Sequence, residues 1–146
     1  MYRMGMMSLI LGDGGAVGVD TVRCIKMALV HDVAESLVGD ITPHCGVSDA
    51  DKHAMEAEAV GRIQEMLGRE TQAAGEVAEL WREYEAQSSR EAHLVKDFDK
   101  LEMIVQAHEY EQAQGLELQQ FFDSTAGKFK TETGVIGIKA EGSSRR

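Results

Sequence analysis

The sequence predicts an all-α fold, and three observations carry that expectation. Aromatic residues make up only 5% of the chain and Pro occurs once, whereas Ala, Glu, Leu, Met and Gln, all good helix formers, are plentiful. Apolar residues recur at helical spacing, as in Val77, Leu80, Trp81 and Tyr84, which fall at i, i+3, i+4 and i+7. Residues suited to helix N-caps, Asp20, Ser48, Thr71 and Ser88, stand ahead of such runs. At 146 residues and 43% hydrophobic, the chain is sized for one helical domain with its own core.

Taken in order, Met1 to about Leu11 reads as a core helix that starts in mid-pattern with no capping residue ahead of it. It is too short for a targeting segment and carries only Arg3, and its Met1, Met4, Met6 and Met7 read as core filler. A glycine-rich loop, Gly12 to Gly18, leads to Asp20, the N-cap of a helix from Thr21 to about Val38. The expected stripe of that helix is Val22, Ile25, Leu29, Val33 and Leu37, and Gly39 stops it. Ile41 to Gly46 is a loop, because Pro43 disfavours a helical residue before it.

Ser48 and Asp51 resemble a capping box that opens a helix through about Leu67, with Met55, Ala59, Ile63 and Met66 inward and a solvated opposite face. Thr71 caps the next helix, in which Trp81 is the expected core anchor and Glu76, Glu79, Glu83 and Glu85 form a solvated face. Ser88 and Glu91 make another capping box, and the longest helix runs on to about Gln114, with Leu94, Phe98, Leu101, Val105 and His108 on one side. A short helix over Leu116 to Phe122 and a turn over Asp123 to Gly127 follow. The domain is placed at 1–129, and 130–146, ending in Arg145-Arg146, reads as a flexible tail.

A net charge of -10 repels nucleic-acid backbones and acidic membrane surfaces, and no basic patch reverses that field. No apolar run approaches the roughly 18 residues of a membrane span. Neither nucleic acid nor membrane is an expected partner. Cys24 and Cys45 lack both CxxC spacing and the density of a disulfide scaffold, which points to a reduced, intracellular and cytoplasmic setting.

His31-Asp32, with Glu35 and Asp40 after it, places four ionisable groups within ten residues of a helix that is otherwise apolar almost all round. An ionised carboxylate buried there needs a salt bridge, a hydrogen-bond network or a metal cation. His31 and Glu35 are four apart and share a helix face, with Asp32 about 100° round the axis from His31. An imidazole nitrogen and a carboxylate oxygen suit a divalent cation such as Mn, Co, Fe, Zn or Mg. One turn away, Glu35 is placed to hold or deprotonate a water on that cation. The same pair also suits a hydrogen-bonded core histidine, and spacing alone does not separate the two. A further ligand could come from the long helix as Asp97 or Asp99, which sit about 100° to either side of Phe98, and periodicity does not choose between them. His44, His53, His93 and His108 have no partner at ligand spacing and read as surface or satisfied groups.

The run His31-Asp32-Val33-Ala34-Glu35-Ser36-Leu37-Val38-Gly39-Asp40-Ile41 resembles the signature of HD-domain 5'-deoxynucleotidases, and more closely their eukaryotic branch, HD domain-containing protein 2. Glu79-Leu80-Trp81, Glu83-Tyr84-Glu85, Gln87-Ser88-Ser89, Val95-Lys96 leading to Asp99, Glu102-Met103 and Phe122 to Phe129 resemble the same branch, in order, out to about Phe129. The resemblance implies an HD-domain helical bundle in which His31, Asp32 and Asp99, not Asp97, are metal ligands. It implies that Glu35 is the residue needed for catalysis and that Asp40 is a second acidic residue that engages the substrate. The implied reaction is hydrolysis of a deoxyribonucleoside 5'-monophosphate, with a divalent metal cation (Mn, Co, Mg, Fe or Zn) offsetting the repulsion between phosphate and an acidic protein. A homodimer is the assembly in keeping with that family.

In this alignment the family's first ligand, a His, falls immediately before Met1, and the helices ahead of it carry an Arg-Trp type substrate-contacting stretch. The sequence is therefore expected to be N-terminally shortened, a bundle lacking its first helix or helices. The alternative to an active enzyme is an impaired remnant that binds a nucleotide or a partner subunit. A cyclic dinucleotide ranks lower as substrate, because the Gly-Tyr-Pro element of that branch is absent.

Overall fold

The computed structural model describes residues 1–12, 18–42 and 45–134. Among them are seven helices and no strand: α1 (Tyr2–Gly12), α2 (Thr21–Val30), α3 (Glu35–Val38), α4 (Asp49–Leu67), α5 (Gln72–Ala86), α6 (Arg90–Gln114) and α7 (Gln119–Thr125). The all-α expectation holds. Asp20, Ser48 and Thr71 cap α2, α4 and α5 as their chemistry predicts, accepting from the backbone N–H of Arg23, Asp51 and Ala74. The cap of α6 is Ser89 rather than Ser88, and Glu91 instead accepts the Asp20 N–H at 2.7 Å. Helix α7 extends through Asp123, Ser124 and Thr125, which the sequence reading assigns to a turn. The middle of the expected Gly12 to Gly18 loop (13–17), Pro43, His44 and the stretch 135–146 with Arg145-Arg146 lie outside the described residues. No helix of the described residues is long and apolar enough to cross a membrane.

Helix α2 packs against α1, α5 and α6, while α4 packs against α3 and α5. One apolar cluster joins Met4, Met27, Ala28, Leu80, Tyr84, Val95 and Phe98, and a second joins Ala34, Ala59, Val60, Ala78 and Trp81. Val30 touches both, so the residues after it lie at the seam between the clusters.

The inward faces differ in part from the expected stripes. In α2 they are Cys24, Met27 and Ala28, whereas Val22 and Leu29 are 61% and 56% exposed. Cys24, Met27 and Ala28 form the face that α2 turns to α1 and α6, and Val22 and Leu29 lie off that face. In α4, Ala59 and Ile63 face inward with Val60 and Glu56, but Met55 and Met66 are exposed. In α6, Leu94 and Phe98 are joined in the core by Ile104 and Ala107, while Leu101, Val105 and His108 are only half-buried.

The main correction concerns the helix expected to run unbroken from Thr21 to Val38. It ends at Val30, and His31 to Ala34 form turns before the single turn of α3. The His31 Nδ1 lies 3.1 Å from the Ala28 carbonyl, the acceptor that a continuing helix would give to the Asp32 N–H. The next bonds, Val33 to Val30, Glu35 to Asp32, Ser36 to Val33 and Leu37 to Ala34, all span three residues rather than four. A three-residue turn stacks Asp32 under Glu35, so that pair shares a face in place of the expected His31 and Glu35.

Charge ties α2 to α5. Arg23 donates to Glu83 through Nε at 2.8 Å and to Glu79 through Nη2 at 2.7 Å, and Ser89 donates to Glu83 from the start of α6. Glu83, expected on a solvated face, is only 12% exposed at its side chain. Burial works to raise its pKa, but Arg23 and Ser89 outweigh burial and hold the carboxyl below its usual range. A carboxyl depressed in the folded state stabilises above its unfolded pKa, and that contribution is lost as pH falls through the folded value. Glu83→Gln is expected to cost about 1 kcal/mol in urea unfolding near neutral pH, since one partner is half-exposed. The gap to the unsubstituted chain should close as pH drops below the unfolded carboxyl value of 4.5. A gap that stays constant into the acid range would contradict this clamp.

Candidate active site

The break after α2 turns His31 inward, where it is 3% exposed at the seam of the two clusters. The Ala28 carbonyl can only accept, so the Nδ1 3.1 Å from it carries a proton and Nε2 is directed away from the backbone. Asp32 Oδ2 stands 2.9 Å and Asp99 Oδ1 3.7 Å from that Nε2. Neither is aligned for a hydrogen bond, and Nε2 is a buried polar atom without a hydrogen-bond partner. Burial opposes a charged imidazole, but the contacts with Asp32 and then Asp99 outweigh it and raise the pKa to about 9. Burial likewise works to raise Asp99, yet His31, Lys96 and Tyr84 together bring its pKa down to about 2.

Periodicity leaves Asp97 and Asp99 equivalent, and their surroundings separate them. Asp97 is fully buried and faces away from His31. Its carboxylate accepts from Lys100 Nζ at 3.1 Å, from the backbone N–H of Lys130 at 2.9 Å and of Thr131 at 2.7 Å, and from Thr131 Oγ1 at 2.8 Å. Asp97 thus holds the chain after Phe129 against α6, and its oxygens are spoken for.

His31, Asp32, Glu35, Asp40 and Asp99 all line one cavity of about 490 Å³, with Lys52, Glu56, Trp81, Tyr84, Glu85, Lys96 and Met103. That volume is in the range of small-molecule sites, about 300–1,000 Å³. Six carboxylates face two lysines there, an excess of negative charge that repels an anionic ligand unless a cation is present. Burial first, then the charges of Asp32 and Asp40, push the Glu35 pKa upward. Burial also raises that of Glu56, against the pull of Lys52, whose Nζ is 3.5 Å away and donates to the Ile41 carbonyl at 3.0 Å. Separately, an apolar cavity of about 300 Å³ between α6 and α7 has Glu102 as its one carboxylate and no cluster of metal donors.

Tyr84, Lys96, Lys52, Glu56 and Glu85 are site residues that the sequence reading does not pick out. Tyr84 belongs to an apolar stripe, yet a buried Tyr hydroxyl needs a partner. Lys96 lies three residues before Asp99, one helical turn away on the same face. Those two signals were available in the sequence. The others depend on how α4 meets α5.

A family model described as HD domain matches residues 1–136. The chain belongs to the HD-domain family. This HD-domain chain is 52% identical over 131 residues to the 5'-deoxynucleotidase HDDC2 of Danio rerio, across 88% of itself and 63% of that protein. It is similar in structure to the HD domain-containing protein YGK1, with a TM-score of 0.74 and 33% identity over 99% of this chain and 73% of that one. It is also similar to a protein described as a predicted metal-dependent phosphohydrolase from Magnetospirillum magnetotacticum, with a TM-score of 0.63 and 29% identity over 75% of this chain and 54% of that one. The chain thus spans 63% of the length of the zebrafish relative.

Membership implies a divalent metal, and the residues here can be tested against the spacing a cation needs. Donors about 2.1 Å from a cation and roughly at right angles stand about 3 Å apart. The edge from His31 Nε2 to Asp32 has that spacing, and the edge to Asp99 is wider. Among the described residues no three His, Cys, Asp or Glu side chains stand close enough together to hold a metal ion, and the potential donors nearest one another are His31 Nε2, which makes no hydrogen bond, and the Asp32 carboxylate. Asp97, by contrast, has a purely structural set of partners. Asp97→Ala is expected to cost about 3 kcal/mol or more in urea unfolding, because it leaves the backbone N–H groups of Lys130 and Thr131 and the Thr131 hydroxyl without their acceptor and removes the ion pair of Lys100. A loss under about 1 kcal/mol would show that Asp97 is not the anchor of residues 130–134.

Proposed function

We propose that this HD-domain chain carries the site of a metal-dependent phosphomonoesterase acting on deoxyribonucleoside 5'-monophosphates. The observation that supports this most directly is the buried, unpaired Nε2 of His31 with Asp32 and Asp99 around it, on a cavity that also holds Glu35 and Asp40. The 52% identity to a 5'-deoxynucleotidase supports the choice of substrate. His31, Asp32 and Asp99 are the residues to hold a divalent cation, whether Mn, Co, Mg, Fe or Zn. When bound, that cation supplies positive charge for the phosphate and makes water more acidic.

Glu35 takes the proton of the attacking water as its oxygen bonds to phosphorus. The bond from phosphorus to the 5'-oxygen breaks, the 5'-oxygen takes a proton from solvent, Glu35 returns its proton to solvent, and nucleoside and phosphate leave. Asp40, exposed at the same cavity, accepts a hydrogen bond from a sugar hydroxyl. A small mobile ligand suits the cavity. An extended nucleic acid does not, given a net charge of -10.

The test is phosphate release from a panel of deoxyribonucleoside monophosphates with Mn²⁺ or Co²⁺, on this chain and on a form lengthened to match its relatives. Release is expected to fall about a hundredfold or more in Glu35→Gln while metal uptake is kept. Asp99→Asn is expected to lose metal uptake itself. Metal uptake without release from any member of the panel would overturn the substrate assignment, and nucleotide binding without turnover would favour the impaired remnant.

A further inference from the structure

Spacing places Tyr84 among the core residues of α5, and its ring is indeed 3% exposed, edge-on to the His31 imidazole with centroids 5.0 Å apart. Its hydroxyl has a different environment. That oxygen donates to Asp99 Oδ2 at 3.0 Å and accepts from Lys96 Nζ at 2.9 Å. An ammonium can only donate and a phenol has a single proton, so Lys96 leaves the Tyr84 proton no choice but Asp99. Lys96 itself reaches the same Oδ2 at 3.3 Å. Both donors fall on one oxygen of Asp99, and the other, Oδ1, is left toward His31 Nε2 at 3.7 Å.

The geometry points to Tyr84 as the positioning residue of the metal site: its hydroxyl reserves Asp99 Oδ2, so that Asp99 offers Oδ1 alone to a cation beside His31 Nε2. The same side chain braces both donors, with its ring against His31 and its oxygen on Asp99. One-oxygen ligation by Asp99 also leaves more coordination positions for water and a phosphate oxygen. This inference rests on the ligand set given under the proposed function.

The experiment is a calorimetric titration of the metal-free chain with Co²⁺, with the visible absorption spectrum of the bound ion recorded and no substrate present. Tyr84→Phe removes one oxygen and keeps the buried ring, and a thermal melt checks that the variant is folded. It is expected to bind Co²⁺ about tenfold or more weakly, with an altered spectrum, as removal of an outer partner of a ligand does. Lys96→Met, at a side chain 40% exposed, leaves the phenol free to donate, and its affinity should change less than about fivefold with the spectrum retained. Wild-type affinity and spectrum in Tyr84→Phe would overturn the inference, as would a loss in Lys96→Met as large as that in Tyr84→Phe. Failure of the unsubstituted chain to take up Co²⁺ would overturn the ligand set, and this inference with it.

Discussion

The contact between His31 Nδ1 and the Ala28 carbonyl organises the site. It sits where α2 ends and the backbone tightens to bonds spanning three residues. It also settles which ring nitrogen faces the cavity. A hydrogen bond of this kind is worth only about 1 kcal/mol net. Its effect here comes from direction, because it fixes the ring and aims Nε2 at the cavity.

What surrounds that contact keeps it in place. Val30 bridges the two apolar clusters, so the turn that follows is held between packed helices and is not free to rewind. Across the seam, α6 presents two aspartates with separate duties. Asp97 is fully buried and saturated by Lys100, Lys130 and Thr131, which anchors the end of the described chain. Asp99 is half-buried, with one oxygen bonded by Tyr84 and the other turned to His31. The cavity that Asp99 shares with His31 carries more carboxylates than lysines, and this imbalance is costly without a cation.

Much of this is legible in the sequence, because it depends on local rules. Helix caps at Asp20, Ser48 and Thr71 follow from side-chain chemistry, and the polar residues His31, Asp32, Glu35 and Asp40 stand out against an apolar run. The break after Val30 is not legible, since a helical pattern continues through it. Nor is the choice between Asp97 and Asp99 available from periodicity, as it depends on where residues 130 and 131 return. Apolar character misleads at Val22, Leu29 and Met66, which are exposed while Met27 and Ile63 of the same helices are buried. Tyr84 satisfies a core pattern and a polar role at once, and hydrophobic spacing reports only the first.

The central claim is that one edge of the His31 ring is committed to the backbone and the other is the metal-facing edge. The most direct measurement is a long-range proton–nitrogen NMR spectrum of the histidine rings in the chain labelled with nitrogen-15, recorded metal-free and after addition of Zn²⁺. The predicted result is that His31 Nδ1 keeps its proton and its shift while Nε2 moves to the position of a metal-bound nitrogen. A change at Nδ1 instead, or a His31 ring that does not respond while another histidine does, would contradict it.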